Sequence, residues 1–385
     1  MKLLAWVSVS SYVRKYSPSF SLYLLTFLDL LSANTGIMFI DEIYGCQRTE
    51  DIQYGTGSTG NPASGYIDLY LDIYEPTGTN LPEKRPVMVF IHGGGFVSGD
   101  KGAITIRNIC ESFTKRGYVC ASIQYRLVGD NPTYEAGPAT NLSVLYRSMN
   151  AASQDAAKAI RWLRQNATTY NIDSMRIGVG GSSAGAITSL YTASQEAGTI
   201  GPDAEAGVVI DLWGAMYGAE SFVDAGDPAI FIVHGTDDPT VAYSETQNLV
   251  AHLDNISHPY QLYPITGAGH GPWSQYNNDV VNGKTIFQHS VEFAFKHLKL
   301  IDLHPAGQPQ RNQLTLSTNL ITNQLTLTLP SYSGFQYLLQ SSETLSVWTT
   351  ENPTSYISGT GSNLSFSVPI SATKKFYRVE IFPDF

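Results

Sequence analysis

The chain has 385 residues, a formal net charge of −10, 43% hydrophobic residues and only 15% charged ones. That length exceeds an ordinary single domain, so two domains are the starting expectation. The acidic balance excludes nucleic-acid binding and docking to anionic membrane, both of which need a surplus of Lys and Arg.

In chain order, Arg14 and Lys15 precede an apolar run from Phe20 to Leu31, and the small residues "SANTG" follow. Basic, apolar, small is the order of a secretory signal. Residues 1–45 therefore read as a signal or N-terminal extension, with a secreted or periplasmic location expected. Asp29 interrupts the run and favours the alternative, an amphipathic helix on a cytoplasmic protein. The run is too short and too interrupted to be a transmembrane helix.

Residues 46–303 alternate strand and helix. "YIDLYLDIYEP" has the period of a half-buried strand, and "PVMVFI" and "YVCASIQY" are continuously apolar, as strands covered on both faces are. "AITIRNICESFTKRG" reads as a helix stopped by Gly117, and "SQDAAKAIRWLRQNA" as a helix with Ser153 as its N-cap. "RIGVGG", "AGVVIDLWG", "AIFIVHG" and "PYQLYPI" are further strands, separated by the helical patterns "AGAITSLYTASQ" and "SETQNLVAHL" and followed by "TIFQHSVEFAFKHL". This order predicts an α/β domain, a mostly parallel sheet with helices on both faces.

Residues 304–311 are polar and hold two prolines, which predicts a linker. Residues 312–385 carry short period-2 segments rich in Ser and Thr, which predicts a small all-β C-terminal domain, a β-sandwich module. Cys46, Cys110 and Cys120 are too few for a disulfide scaffold, and buried free thiols are favoured. No CxxC motif or Cys/His metal spacing occurs, so no metal site is read from the cysteines.

Two glycine clusters carry the chemistry. "HGGGFVSGD" follows the strand "PVMVFI", yet Asp100 stands where a P-loop needs lysine and Ser98 ends the frame that a dinucleotide fingerprint needs. "GVGGSSAGA" lies between a strand and a helix and contains Gly181-Ser182-Ser183-Ala184-Gly185, a G-x-S-x-G. That pattern sets a serine on a sharp strand-to-helix turn. Ser183 is favoured over Ser182, whose own frame ends in Ala184. A dinucleotide frame, Gly178-x-Gly180-x-x-Ser183, misses its last glycine.

Asp237 and Asp238 follow a later strand, and His270 lies in a glycine-rich loop after the next one. Serine needs a base to take its proton, histidine can take and return it, and a carboxylate can hold the imidazole in the right tautomer. Asp238 is favoured as that carboxylate, with Asp237 a turn residue and His234 a strand-end residue shaping the turn. An oxyanion needs donors in place beforehand, which Ala184 N–H and the bare amides of Gly94 and Gly95 supply, while His92 and Gly93 shape the loop. Phe96 and Trp273 are candidates for lining a substrate pocket, or for plain aromatic packing.

Together, "HGGGF", "GSSAG", "LDIYEP", "RGYVCASIQYRL" and "SQDAAKAIRWLRQNA" resemble the hormone-sensitive-lipase-like and feruloyl-esterase-like bacterial carboxylesterases of the α/β-hydrolase superfamily, over residues 54–298. The resemblance implies cofactor-free hydrolysis of a small-molecule or polymer-linked ester, and the same roles for Ser183, Asp238, His270, Gly94, Gly95 and Ala184. No dedicated N-terminal helical cap is evident, and the connection from Val128 to Arg147 is long enough to cover a site instead. "FQYLLQSSETLSVW" and "FYRV" resemble β modules appended to secreted bacterial enzymes, which implies contact with polysaccharide or a cell surface. Two alternatives stay open: a serine peptidase of the prolyl-oligopeptidase type, and a non-catalytic binding protein on a hydrolase fold.

Overall fold

The computed structural model describes residues 2–5, 36–133, 143–194, 203–304, 315–319, 323–344, 347–351, 356–369 and 376–384. The apolar run at 20–31 lies outside them, as do residues 134–142 of the long connection and 305–311 of the expected linker. The chain divides into two units, Met38–Leu300 and the combination of Met1–Ile37 with Ile301–Phe385.

Eight strands form the sheet of the larger unit: β1 (Gly45–Thr59), β2 (Gly65–Thr77), β3 (Arg85–Ile91), β4 (Val119–Ile123), β5 (Ile172–Ser182), β6 (Val208–Leu212), β7 (Ala229–Gly235) and β8 (Tyr260–Ile265). Their order across the sheet is β1-β2-β4-β3-β5-β6-β7-β8. β2 pairs antiparallel with both β1 and β4, and all pairs from β4 through β8 are parallel. β1 escapes a reading by pattern because "GCQRTEDIQYGTGST" has few apolar residues to alternate; its ladder with β2 holds it in place.

Side-chain alternation sends residues to two cores. Val87, Val89 and Ile91 of β3 join a cluster with Ile160 and Leu163 of α2 (Val144–Gln165), Ile187 and Leu190 of α3 (Ala184–Ser194), and Leu249 and Leu253 of α4 (Tyr243–Asn255). Phe90 points the other way, its ring 5.3 Å from Phe113 of α1 (Ile104–Thr114). Phe113 in turn meets Phe287 of α6 (Ile286–His297) at 5.7 Å. All of β3 is buried, as a strand covered on both faces must be.

One expected helix start is corrected. Ser153 is not an N-cap but lies inside α2, which begins after Ser143, whose Oγ accepts from Tyr146 N at 3.2 Å. The helix-compatible run "VLYRSMNAA" extends it backwards, and Ser153 Oγ donates to Met149 O one turn earlier at 3.4 Å. A short helix, α5 (Trp273–Asn278), follows the β8 loop.

Among the described residues of the other unit there are two antiparallel sheets. In one, Thr315–Asn319, Gln324–Pro330 and Asn363–Pro369 pair in that order. In the other, Phe376–Pro383 pairs with Phe335–Ser342 on one side and with Lys2–Ala5 on the other. Leu325, Leu327, Phe335, Tyr337, Phe366, Val368, Val379 and Ile381 alternate inward and are buried. Among the described residues, no helix is long and apolar enough to cross a membrane.

Candidate active site

β5 ends at Ser182, α3 begins at Ala184, and Ser183 sits between them with φ +54. A non-glycine residue rarely takes that backbone region, and such strain gathers at working sites. Ser183 N–H donates to Leu212 O of β6 at 2.9 Å, and Ser183 O accepts from Ile187 N in the first turn of α3 at 2.9 Å. The turn is this sharp because Gly185 permits close approach: a Cβ there would lie 2.0 Å from Ile91 O. Ser182, the rival nucleophile, is buried and paired within the sheet, opposite Leu212.

Asp238 and His270 come from the ends of the next two strands. The loops after β7 and β8 are joined by Thr236 N to Ile265 O at 3.0 Å, Asp237 N to Ala268 O at 3.0 Å and Gly267 N to Thr236 Oγ1 at 2.8 Å. Gly235 admits that approach, since a Cβ on it would lie 2.4 Å from Ala268 O. As a result His270 Nδ1 is 2.7 Å from Asp238 Oδ2, and His270 Nε2 is 2.9 Å from Ser183 Oγ. Nδ1 faces a carboxylate and therefore carries the proton, which leaves the Nε2 lone pair toward the serine hydroxyl.

Asp238 is fully buried in its side chain, and its Oδ1 accepts from Thr240 N at 2.8 Å and Val241 N at 3.0 Å. Burial opposes its ionised form, but the bonds from His270, Thr240 and Val241 outweigh it, and its pKa lies below the ordinary aspartate value. Asp237 is exposed, and among the described residues its carboxylate accepts from the neighbouring Thr236 hydroxyl alone, at 3.1 Å.

The "HGGG" loop leaves β3 toward the serine. A Cβ on Gly93 would lie 3.3 Å from Ser183 Cβ, so this backbone passes beside the nucleophile. Gly94 and Gly95 both have positive φ, +119 and +62, and both are exposed. Among the described residues, the N–H groups of Gly94, Gly95 and Ala184 make no bond to another backbone or side-chain group. His92 is buried, stacks on Tyr125 at 4.4 Å, and its carbonyl accepts from Tyr125 Oη at 3.0 Å. Phe96 (φ +62) is buried and packs its ring 6.2 Å from Tyr125, so it anchors this loop in the core. Trp273 stays partly exposed, three residues past His270, and rests edge-on against buried Trp213 at 4.8 Å.

Four residues near the site went unsingled in the sequence or were given smaller parts. Tyr125 and Trp213 stood inside apolar strand runs and carried no signal of their own. Asp211 was read only as part of a strand; its carboxyl is buried, bonded at Oδ1 by Gly214 N–H at 2.7 Å, and pushed by burial up to about 7. His234 does more than shape a turn: its Nε2 lies 3.3 Å from Asp238 Oδ2. The three cysteines are free thiols, with Cys110 and Cys120 buried. Among the described residues, no group of three or more His, Cys, Asp or Glu could hold a metal ion.

Residues 71–208 match the family model described as BD-FAE. Lipase 2 of Geotrichum candidum is 32% identical over 128 residues, covering 31% of this chain and 21% of that protein. Carboxylesterase 1E of Rattus norvegicus is 34% identical over 117 residues, covering 30% and 19%. The chain thus spans about a fifth of the length of the curated relatives it matches. Among solved structures, Thermogutta terrifontis esterase 2 phosphonylated by cyclosarin is 25% identical at a TM-score of 0.48, over 66% of this chain and 95% of that one. A truncated carbohydrate esterase from gut microbiota is 21% identical at a TM-score of 0.48, over 66% and 97%.

Proposed function

We propose that this chain, whose larger unit is an α/β-hydrolase, is a serine carboxylic-ester hydrolase. One observation carries the reading: a strained serine lies 2.9 Å from an imidazole whose other nitrogen is 2.7 Å from a buried carboxylate. In this reading His270 Nε2 takes the Ser183 proton as Oγ attacks the ester carbonyl. Asp238 holds the tautomer and stabilises the imidazolium that results. The oxyanion of the tetrahedral intermediate is met by the amides of Ala184, Gly94 and Gly95, each such donor being worth roughly 3–4 kcal/mol. Collapse expels the alcohol, which takes the proton from His270. Water, deprotonated by His270, then attacks the acyl-enzyme and releases the acid.

The substrate side is proposed more finely still. Short acyl, acetyl and feruloyl-type esters, free or polymer-linked, suit an exposed glycine loop, and Trp273, three residues past His270, offers a partly exposed aromatic surface. The β-sheet unit is proposed to hold the enzyme near polysaccharide or a cell surface. Arg14, Lys15 and the apolar run after them support export, and N-terminal sequencing of the exported protein decides whether the Lys2–Ala5 strand is kept.

The test is hydrolysis of p-nitrophenyl acetate and butyrate by wild type and Ser183→Ala. Wild type turns both over and the variant does not. An inert wild type, or an undiminished variant, overturns the reading. Faster cleavage of aminoacyl amides than of simple esters would identify a peptidase instead.

A further inference from the structure

A second histidine lies beside Asp238. His234, the penultimate residue of β7, has no exposed side chain. Its Nε2 lies 2.9 Å from Val241 O, its Nδ1 lies 2.7 Å from Thr246 Oγ1 on α4, and its ring meets Tyr243 edge-on at 5.8 Å. The hydrogen positions follow from chemistry. Both groups near Nε2, the Val241 carbonyl and the Asp238 carboxylate, are acceptors only, so Nε2 carries the proton. Nδ1 is then a lone pair and accepts from the Thr246 hydroxyl.

The bonds form one connected network that converges on Asp238 from both ends. Thr246 Oγ1–H donates to His234, whose Nε2–H donates to Val241 O. Val241 N–H donates to Asp238 Oδ1 at 3.0 Å, while Asp238 Oδ2 accepts from His270 at 2.7 Å. His270 in turn faces Ser183 at 2.9 Å. The turn Asp238–Val241 is thereby held by His234 of the parent strand, which is itself fixed by Thr246 of the following helix.

We propose that His234, set by Thr246, is a positioning residue for catalysis, clamping the Asp238–Val241 turn so that Asp238 meets His270. The proposal rests on the ester-hydrolase reading. His234 also presents an N–H edge, 3.3 Å away, to the carboxylate that His270 uses. A charged ring there would compete with the imidazolium that forms on His270 during turnover. Burial keeps His234 below the ordinary histidine value, although the Val241 carbonyl and Asp238 pull the other way. The remaining titratable groups around this turn are Asp237 beside it, Tyr217 after β6, and Tyr243 and Glu245 on α4. None of them donates to Asp238 among the bonds described.

The experiment compares wild type, Ser183→Ala, His234→Gln, His234→Leu and Thr246→Val. Steady-state kinetics on p-nitrophenyl acetate are read together with the proton NMR signal of the His270 Nδ1–H, whose exchange with water is slow while it is bonded to Asp238. His234→Leu lowers kcat by roughly 10–100-fold, the size of loss seen when the hydrogen-bond partner that orients a metal-ligating histidine is removed. KM stays near wild type, and the Nδ1–H signal broadens into exchange. His234→Gln keeps a donor for Val241 O and restores most of both readouts, and Thr246→Val falls between. A folded His234→Leu with wild-type kcat and a sharp signal overturns the proposal, as does a Gln variant as impaired as Leu. If wild type shows no Ser183-dependent hydrolysis, the ester-hydrolase reading fails by itself. The NMR signal needs no turnover and still decides the clamp.

Discussion

Arg126 and Asp155 form an ion pair in which neither side chain is exposed. Arg126 Nε and Nη2 donate to the carboxylate at 2.9 and 2.8 Å, its backbone N–H adds a third bond at 3.0 Å, and Nη1 reaches Ser58 O at 3.0 Å. The pair ties the loop after β4 to α2 and to β1. Removing one partner strands a buried charge. Asp155→Ala is expected to cost about 3–5 kcal/mol in urea unfolding, whereas Arg126→Leu combined with Asp155→Leu costs less, because no buried charge is left unpaired, Lys158 beside Asp155 being partly exposed. Equal losses in the two variants would show that packing, not charge, sets the cost.

That pair also marks the limit of what the sequence made legible. Both residues stood in the stretches "SIQYRL" and "SQDAAK", yet nothing in a one-dimensional pattern pairs an arginine with an aspartate across a strand and a helix. The β7–β8 crossover, by contrast, was readable, because continuous apolar runs and their glycine ends state where strands stop and loops bearing Asp238 and His270 begin. The start of α2 was misread because Ser153 has the chemistry of a cap, and only the residues before it show that the helix continues. His234 was underrated for a similar reason: its role depends on Val241 and Thr246, which local periodicity cannot bring to it.

Gly235 controls the distance between the two loops that supply Asp238 and His270. A Cβ at this position meets Ala268 O at 2.4 Å and Gly269 O at 2.5 Å, both backbone atoms that can move only with the loop. Gly235→Ala is therefore expected to displace His270 by a fraction of an ångström or more. Misplacement of about 1 Å can cost on the order of 100-fold in rate. Far-UV circular dichroism should stay near wild type while kcat on p-nitrophenyl acetate drops. An alanine variant with full kcat would show that the loop relaxes without moving the imidazole.

Asp238→Asn tests the carboxylate separately from its geometry. The amide can present Nδ2 to His270 Nδ1, which forces the imidazole into the wrong tautomer and is expected to lower kcat roughly 10⁴-fold. The stability consequence has a definite sign. The folded pKa of Asp238 is depressed, so its contribution is present above the unfolded value of about 3.9 and is lost as pH falls through the folded pKa. Wild type should thus exceed the variant by a constant amount above about pH 5, and the gap should close only in stronger acid. Paired urea melts across this range check it, and a gap that closes near neutrality would assign the effect to another group.

Asp211 works in the opposite sense. Its carboxyl is buried, Oδ2 has no partner among the described residues, and burial raises its pKa to about 7 against the pull of the Gly214 N–H. The unfolded chain releases that proton near the ordinary value of about 3.9. Between these two pH values the native state binds the proton and the unfolded state does not, so stability falls as pH rises and levels off above the folded pKa. At about 1.4 kcal/mol per pH unit, the whole span amounts to roughly 4 kcal/mol as an upper bound. Asn cannot titrate, so Asp211→Asn removes this slope while its Oδ1 keeps the bond from Gly214. Relative to wild type, the variant is expected to gain up to that amount between about pH 4 and pH 8, whatever the fixed cost of placing its amide beside the orphaned position. Urea unfolding of both proteins at several pH values measures the difference, and parallel stability curves would mean that Asp211 is already ionised in the fold at neutral pH.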